Sequence, residues 1–176
     1  MTQNEMDLNN NVGDAELERM TSALLEAVQN GATLKDLQGV PQDLMDGIYA
    51  FAYRFYQQGK LDDAEVFFRF LCIYDFYNTE YALGLAAVCQ LKKNYQKAID
   101  LYALAFSLSE NDYRPMFHTG QCHLMMGKAA LARRCFNVVI ERSNDDCLRK
   151  KAASYLSGLD EVGGEASKEP STEEND

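Results

Sequence analysis

Tyr49, Tyr53 and Tyr56 stand at i, i+4 and i+7, so on a helix they share one face. Rings with polar tips on one face can grip the apolar side chains of a peptide and stay wetted when empty; they are not equipped to break bonds. The residues that could break bonds are scattered. His118 and Cys122, at i and i+4, could share a metal, but two ligands on one helix with no third nearby are more simply packing or groove residues. The pairs Asp62-Asp63 and Asp145-Asp146 read as acids at helix starts, where the dipole favours them. Neither G-x-x-x-x-G-K-S/T nor G-x-G-x-x-G occurs, which leaves nucleotide chemistry without a sequence basis. A binding protein is expected, with no enzymatic activity, no metal and no cofactor.

The helix that must carry the tyrosines already has one apolar stripe for packing, formed by Ile48, Phe51, Ala52 and Phe55. The tyrosine stripe on the adjoining face is surplus to the fold. Twelve of the 19 Phe and Tyr residues fall between Tyr49 and Tyr81, so aromatic surface is concentrated in this part of the chain. The run Phe67 to Tyr77 reads mostly as core, with Tyr74 and Tyr77 at a rim.

A period of 34 residues organises the rest. Ala64, Ala98 and Ala132 follow it, as do Phe68, Tyr102 and Phe136, the series Leu61, Tyr95 and Ala129, and the series Ala52, Ala86 and Gly120. Small residues recur where helices approach closely, and large ones where a ring fills the space between helix pairs. This is the tetratricopeptide pattern, a helix-turn-helix unit. It predicts an all-α solenoid over residues 42–159, with three repeats near 45–78, 79–112 and 113–146. The turns are expected at Gln57 to Lys60, Lys92 to Asn94 and Met126 to Lys128, with Gly59, Asn94 and Gly127 accepting a left-handed conformation. The inner face of the array should continue through Leu83, Ala87, Phe117, Gln121 and Leu124.

Both ends of an array need covering. Asp145 to Leu159 reads as an amphipathic closing helix carrying Leu148, Ala152, Tyr155, Leu156 and Leu159. Residues 14–38 form a leading segment, with the stripe Leu17, Met20, Leu24 and Val28 on a helix stopped by Gly31, then an imperfect capping box from Thr33 to Asp36. That stripe either caps the repeats or meets a second copy. Residues 1–13 and the acidic tail 160–176 are expected to be disordered, since they bury too little to offset their ordering entropy.

The net charge of −10 sits in these ends. Residues 160–176 carry −6 and residues 1–19 carry −4, leaving 15 acids against 15 bases between 20 and 159. Without a basic patch, direct nucleic-acid binding lacks its main electrostatic contribution. No apolar run reaches membrane-spanning length and the first residues lack a secretory leader pattern, so a cytoplasmic protein with no membrane contact is expected. The five cysteines form no C-x-x-C pair and suit a reducing compartment. A groove clamping a partner's C-terminal carboxylate would want Lys or Asn where Tyr49, Tyr53 and Ala87 stand, with Arg114 and His118 the sole suggestive pair.

Several long strings carry a closer resemblance: Gly31 to Asp36, Pro41 to Tyr49, Ala64 to Asn78, and Gly84 to Ala87. Over residues 22–158 the chain resembles the class II chaperones of bacterial type III secretion systems, particularly the Shigella and Salmonella invasion-type members. The resemblance implies a cytoplasmic chaperone for hydrophobic translocator proteins, which keeps them soluble, separate and competent for secretion. It implies groove aromatics at Tyr49, Tyr53 and Tyr56, with Tyr74 and Tyr102 further along, and a differently shaped pocket where Leu61 replaces a position that is often aromatic. It also implies a client segment lying extended in the groove with small apolar side chains inserted, and a homodimer formed through the leading helix. Some family members, once free of client, assist a transcriptional activator. A scaffold that organises partners without protecting them uses the same groove physics and is the alternative.

Overall fold

The computed structural model describes residues 19–27 and 29–165, the last four of these as backbone only. Leu17, Val28, residues 1–18 and the tail from 166 lie outside the described residues. Within them the chain is all-helical. Residues 19–27 form α1, followed by α2 (Leu34–Gln38), α3 (Gln42–Gln57), α4 (Leu61–Tyr74), α5 (Thr79–Leu91), α6 (Tyr95–Leu108), α7 (Arg114–Met125), α8 (Ala129–Arg142) and α9 (Asp146–Glu165).

The helix pairs α3/α4, α5/α6 and α7/α8 are three tetratricopeptide units, and α9 closes the stack against α8. The second helices start at Leu61, Tyr95 and Ala129, one period apart. Each helix packs mainly on its chain neighbours, as the one-dimensional logic of a solenoid requires. Ala64, Ala98 and Ala132 are fully buried where the helices of a pair cross, and Phe68, Tyr102 and Phe136 fill the space between pairs. The closest approach is at Gly84, where an added Cβ would sit 2.1 Å from Cε1 of Phe68. At Gly120 the same test gives 2.7 Å to Phe136. Glu65 ties the first two units together, accepting from Lys92 at 2.7 Å and Lys97 at 2.8 Å, and these ammonium groups pull its carboxyl down to about 2.

Three expectations are corrected. In the second turn Lys93, not Asn94, takes the left-handed conformation, with φ 62 against 72 at both Gly59 and Gly127. The three positions are one period apart, so the repeat imposes the conformation whatever residue stands there. A Cβ in this region is strained, and Lys93→Gly is expected to raise the unfolding free energy by about 0.5–1 kcal/mol, net of the added freedom of the unfolded chain. A urea midpoint no higher than wild type would show that the lysine is unstrained. Phe51, expected to pack, is 49% exposed with the Arg54 guanidinium 4.6 Å above its ring. The first helix pair has no preceding repeat to cover that side of α3. Lastly, α9 runs six residues beyond Leu159, into the stretch expected to be disordered. Arg133 holds it there, donating to the Leu159 carbonyl at 2.7 Å and pairing with Asp160.

The capping box at α2 closes fully despite its shorter acid. Thr33 donates its N–H to Asp36 Oδ2 at 2.9 Å, and its hydroxyl sits 2.6 Å from the same oxygen. Met20 and Leu24 on α1 remain 66% and 50% exposed, with Leu37 beside them. The leading helix therefore does not bury this face on the repeats.

Candidate functional site

The first helices of the units, α3, α5 and α7, present one face to a common groove because their inner positions repeat every 34 residues. Tyr49 and Leu83 are one such series, whose next member, Phe117, is buried; Tyr53, Ala87 and Gln121 are another, which continues to Tyr155 on α9. The groove encloses about 240 Å³ and is lined by Tyr49, Tyr53, Tyr56, Leu83, Ala87 and Tyr102, all expected from sequence, together with Phe68, Glu80, Gly84, Arg114 and His118.

One wall is aromatic. Tyr49 stacks on Tyr53 at 6.4 Å and Tyr53 on Tyr56 at 6.1 Å, while Tyr49 rests edge-on against Phe68 at 5.9 Å. Tyr53 is 47% exposed, a large ring left half in water between its two stacking partners. Burial raises the phenol pKa of Tyr49 and Tyr56, so both stay protonated and the wall is uncharged. The small residue Ala87 on the facing helix leaves the space into which side chains can enter, while the gap at Gly84 is filled by the Phe68 ring, which forms the floor.

The other wall is polar and internally satisfied. Arg114 is held between Asp112, at 2.8 Å, and Glu80. Its charge is thus answered by two carboxylates, which removes the free cation that a carboxylate clamp would need. His118 stacks on Tyr102 at 5.3 Å, and burial lowers its pKa, which keeps it neutral. Its Nδ1 lies 2.9 Å from Gln121 Oε1, within hydrogen-bond distance. Gln121 continues the chain of hydrogen bonds by donating to Tyr155 at 2.8 Å, and Tyr102 donates to Gln90 at 2.8 Å.

Several expected positions fall elsewhere. Leu61 and Tyr74 belong to α4, the outer helix of its pair, and pack on the first core cluster; Tyr74 also stacks on Phe70 at 4.3 Å. Tyr77 lies in the α4–α5 turn against Phe76. Phe117 is 5% exposed and belongs to the core between α7, α8 and α9. Leu124 lines a separate pocket at the far end of the groove face. The residues missed, Phe68, Glu80 and Gly84, carried one usable signal: Glu80 and Arg114 are opposite charges one period apart at the starts of successive inner helices.

Among the described residues there is no group of three side chains able to hold a metal, and no helix is long and apolar enough to cross a membrane. Fold and repeat spacing together define a tetratricopeptide-repeat protein. The tetratricopeptide-repeat family model matches residues 45–78 and 79–112. The chaperone protein SicA of Salmonella typhimurium is 63% identical over 154 residues, covering 88% of this chain and 92% of SicA. The Yersinia enterocolitica translocator chaperone SycD superposes with a TM-score of 0.69 at 30% identity, over 73% of this chain and 98% of SycD, and a further structure describes it as an alternative dimer. PcrH in complex with the chaperone binding region of PopD gives 0.66 at 29% identity, over 71% and 97% of the two chains.

The chain belongs to the translocator chaperones of bacterial type III secretion systems. It is a type III secretion chaperone, not an enzyme.

Proposed function

We propose that this chaperone binds hydrophobic translocator proteins by laying an extended segment of the client along the groove. Small apolar side chains enter between Tyr49, Tyr53 and Tyr56 on one side and Leu83 and Ala87 on the other, above the Phe68 ring. The carrying observation is Tyr53, half exposed on the groove face and stacked between Tyr49 and Tyr56, the two rings of the three that also lean on the first core cluster. Aromatic-lined recognition of an extended segment accounts for affinity without demanding a folded client. The client is thereby kept soluble, separate from other translocators and ready for secretion, and the chaperone stays in the cytoplasm. PcrH with the PopD region, and SycD with a peptide of YopD, show relatives engaged with such clients.

A homodimer through the leading helix completes the proposal. Met20, Leu24 and Leu37 form an exposed apolar face, and Leu17 and Val28 share its spacing in the sequence. The balanced charge of residues 20–159 suits a secondary contact with a transcriptional activator rather than with nucleic acid.

The test is co-expression with a translocator from the same genome, measuring soluble client and the mass of the complex by light scattering. Soluble client that disappears when the chaperone is omitted is the expected result. Client equally soluble alone would replace the chaperone reading with a scaffold.

A further inference from the structure

Two repeats along the solenoid, the lining of the aromatic groove has a counterpart. The 34-residue step taken twice carries the lining residues Tyr56 onto Leu124 and Ala87 onto Tyr155. Leu124, Tyr155 and Gly158, with Ser154 and Leu159, line a second open pocket of about 490 Å³ between α7 and α9. The closing helix α9 therefore serves as the inner helix of an incomplete fourth unit and contributes a binding wall as well as a cap. Tyr155 is fixed for this role. Its ring stacks on Phe136 at 5.0 Å, meets Phe117 edge-on at 5.6 Å, and its hydroxyl accepts from Gln121 at 2.8 Å, while 38% of the residue stays exposed.

Gly158 adds an independent observation. A glycine inside a helix costs about 0.5–1 kcal/mol relative to alanine. No atom lies within 4 Å of where its Cβ would be, so packing does not require it. What its missing side chain leaves open is the pocket.

We propose that this pocket is a second side-chain site for the same client segment, taking a large apolar residue of the leucine or methionine class. The inference rests on the groove proposed above. Continuity argues for one occupant: His118 lines the first groove, Gln121 bonds to His118 and to Tyr155, and Tyr155 lines the second pocket. The first groove reaches α7 and the second opens between α7 and α9, one helix spacing on. That spacing is about 10 Å, which extended chain covers in about three residues. A polar strip at Gln121 between two apolar sites suits a segment whose backbone meets the amide while its side chains fill the pockets. The chain's own residues 166–176 do not suit the pocket, because they contain no large apolar side chain.

Gly158→Leu tests the proposal by filling the pocket from within. Open space at its Cβ and leucine's better helix propensity predict a melting temperature at or above wild type. The probe is the fluorescein-labelled N-terminal fragment of the translocator with which the protein co-purifies, read by anisotropy, with Tyr53→Ala as the groove control. The expected result is affinity about tenfold or more weaker for Gly158→Leu, with Tyr53→Ala weakened as well. Tight binding by Gly158→Leu beside weak binding by Tyr53→Ala overturns the second site and leaves the groove standing. Normal binding by both removes the groove and the second site together. A change in the mass of the free protein with client affinity intact assigns the pocket to contacts between copies, which also overturns the proposal.

Discussion

Phe68→Ala is expected to lower the unfolding free energy by about 3–5 kcal/mol, read from urea midpoints by circular dichroism. Phe68 is 1% exposed, lies edge-on to Tyr49 and fills the gap that Gly84 leaves on α5. Removing the ring empties the junction between the first two units and takes away the floor of the groove at the same time. The partnership can be isolated. Gly84→Ala alone should cost about 1–3 kcal/mol, because its Cβ would lie 2.1 Å from Cε1 of Phe68 and the ring is boxed in by its neighbours. In the Phe68→Ala background the obstruction is gone, and the same change should stabilise by up to about 1 kcal/mol through helix propensity. An equal cost in both backgrounds would mean that the ring moves aside and that the close approach carries no energy.

The second large effect is on client binding. Tyr49→Ala/Tyr53→Ala/Tyr56→Ala is expected to abolish the soluble complex, corresponding to at least about a hundredfold loss of affinity. The variant should remain helical and cooperatively folded, since Tyr53 is half exposed and Tyr56 is not buried. Some stability is lost through Tyr49, which touches Phe68 and Tyr81. Tyr53→Ala alone therefore gives the cleaner separation of binding from folding. A triple variant that co-purifies normally with client would leave the chaperone in place and move its site elsewhere on the surface.

Periodicity made the helices legible almost to the residue, because Leu61, Tyr95 and Ala129 are both the sequence register and the starts of α4, α6 and α8. It also placed Tyr49, Tyr53 and Tyr56 on the groove, since an angular position on an inner helix determines which way a ring faces. It could not say what lies opposite. Phe51 has the spacing of a packing residue and lacks a preceding repeat to pack on. Tyr74 and Tyr77 have the composition of groove residues but sit on an outer helix and in a turn. Lys93 illustrates the converse: its left-handed backbone is dictated by the period, against the preference of its own side chain. The polar wall was least visible, because Glu80 meets Arg114, and Gln121 meets Tyr155, only across the junctions between stacked helix pairs.

Nearest-neighbour stacking also sets a clock. Contacts made mainly between neighbouring helices mean short loops to close, and helical chains of this kind fold on the order of microseconds to milliseconds. Ribosomes add roughly 5–20 residues per second, so the stack has time to form as soon as its last helix has emerged. A newly made chaperone is then competent to receive its client almost as soon as its chain is finished, and supply of a ready groove is limited by translation rather than by folding.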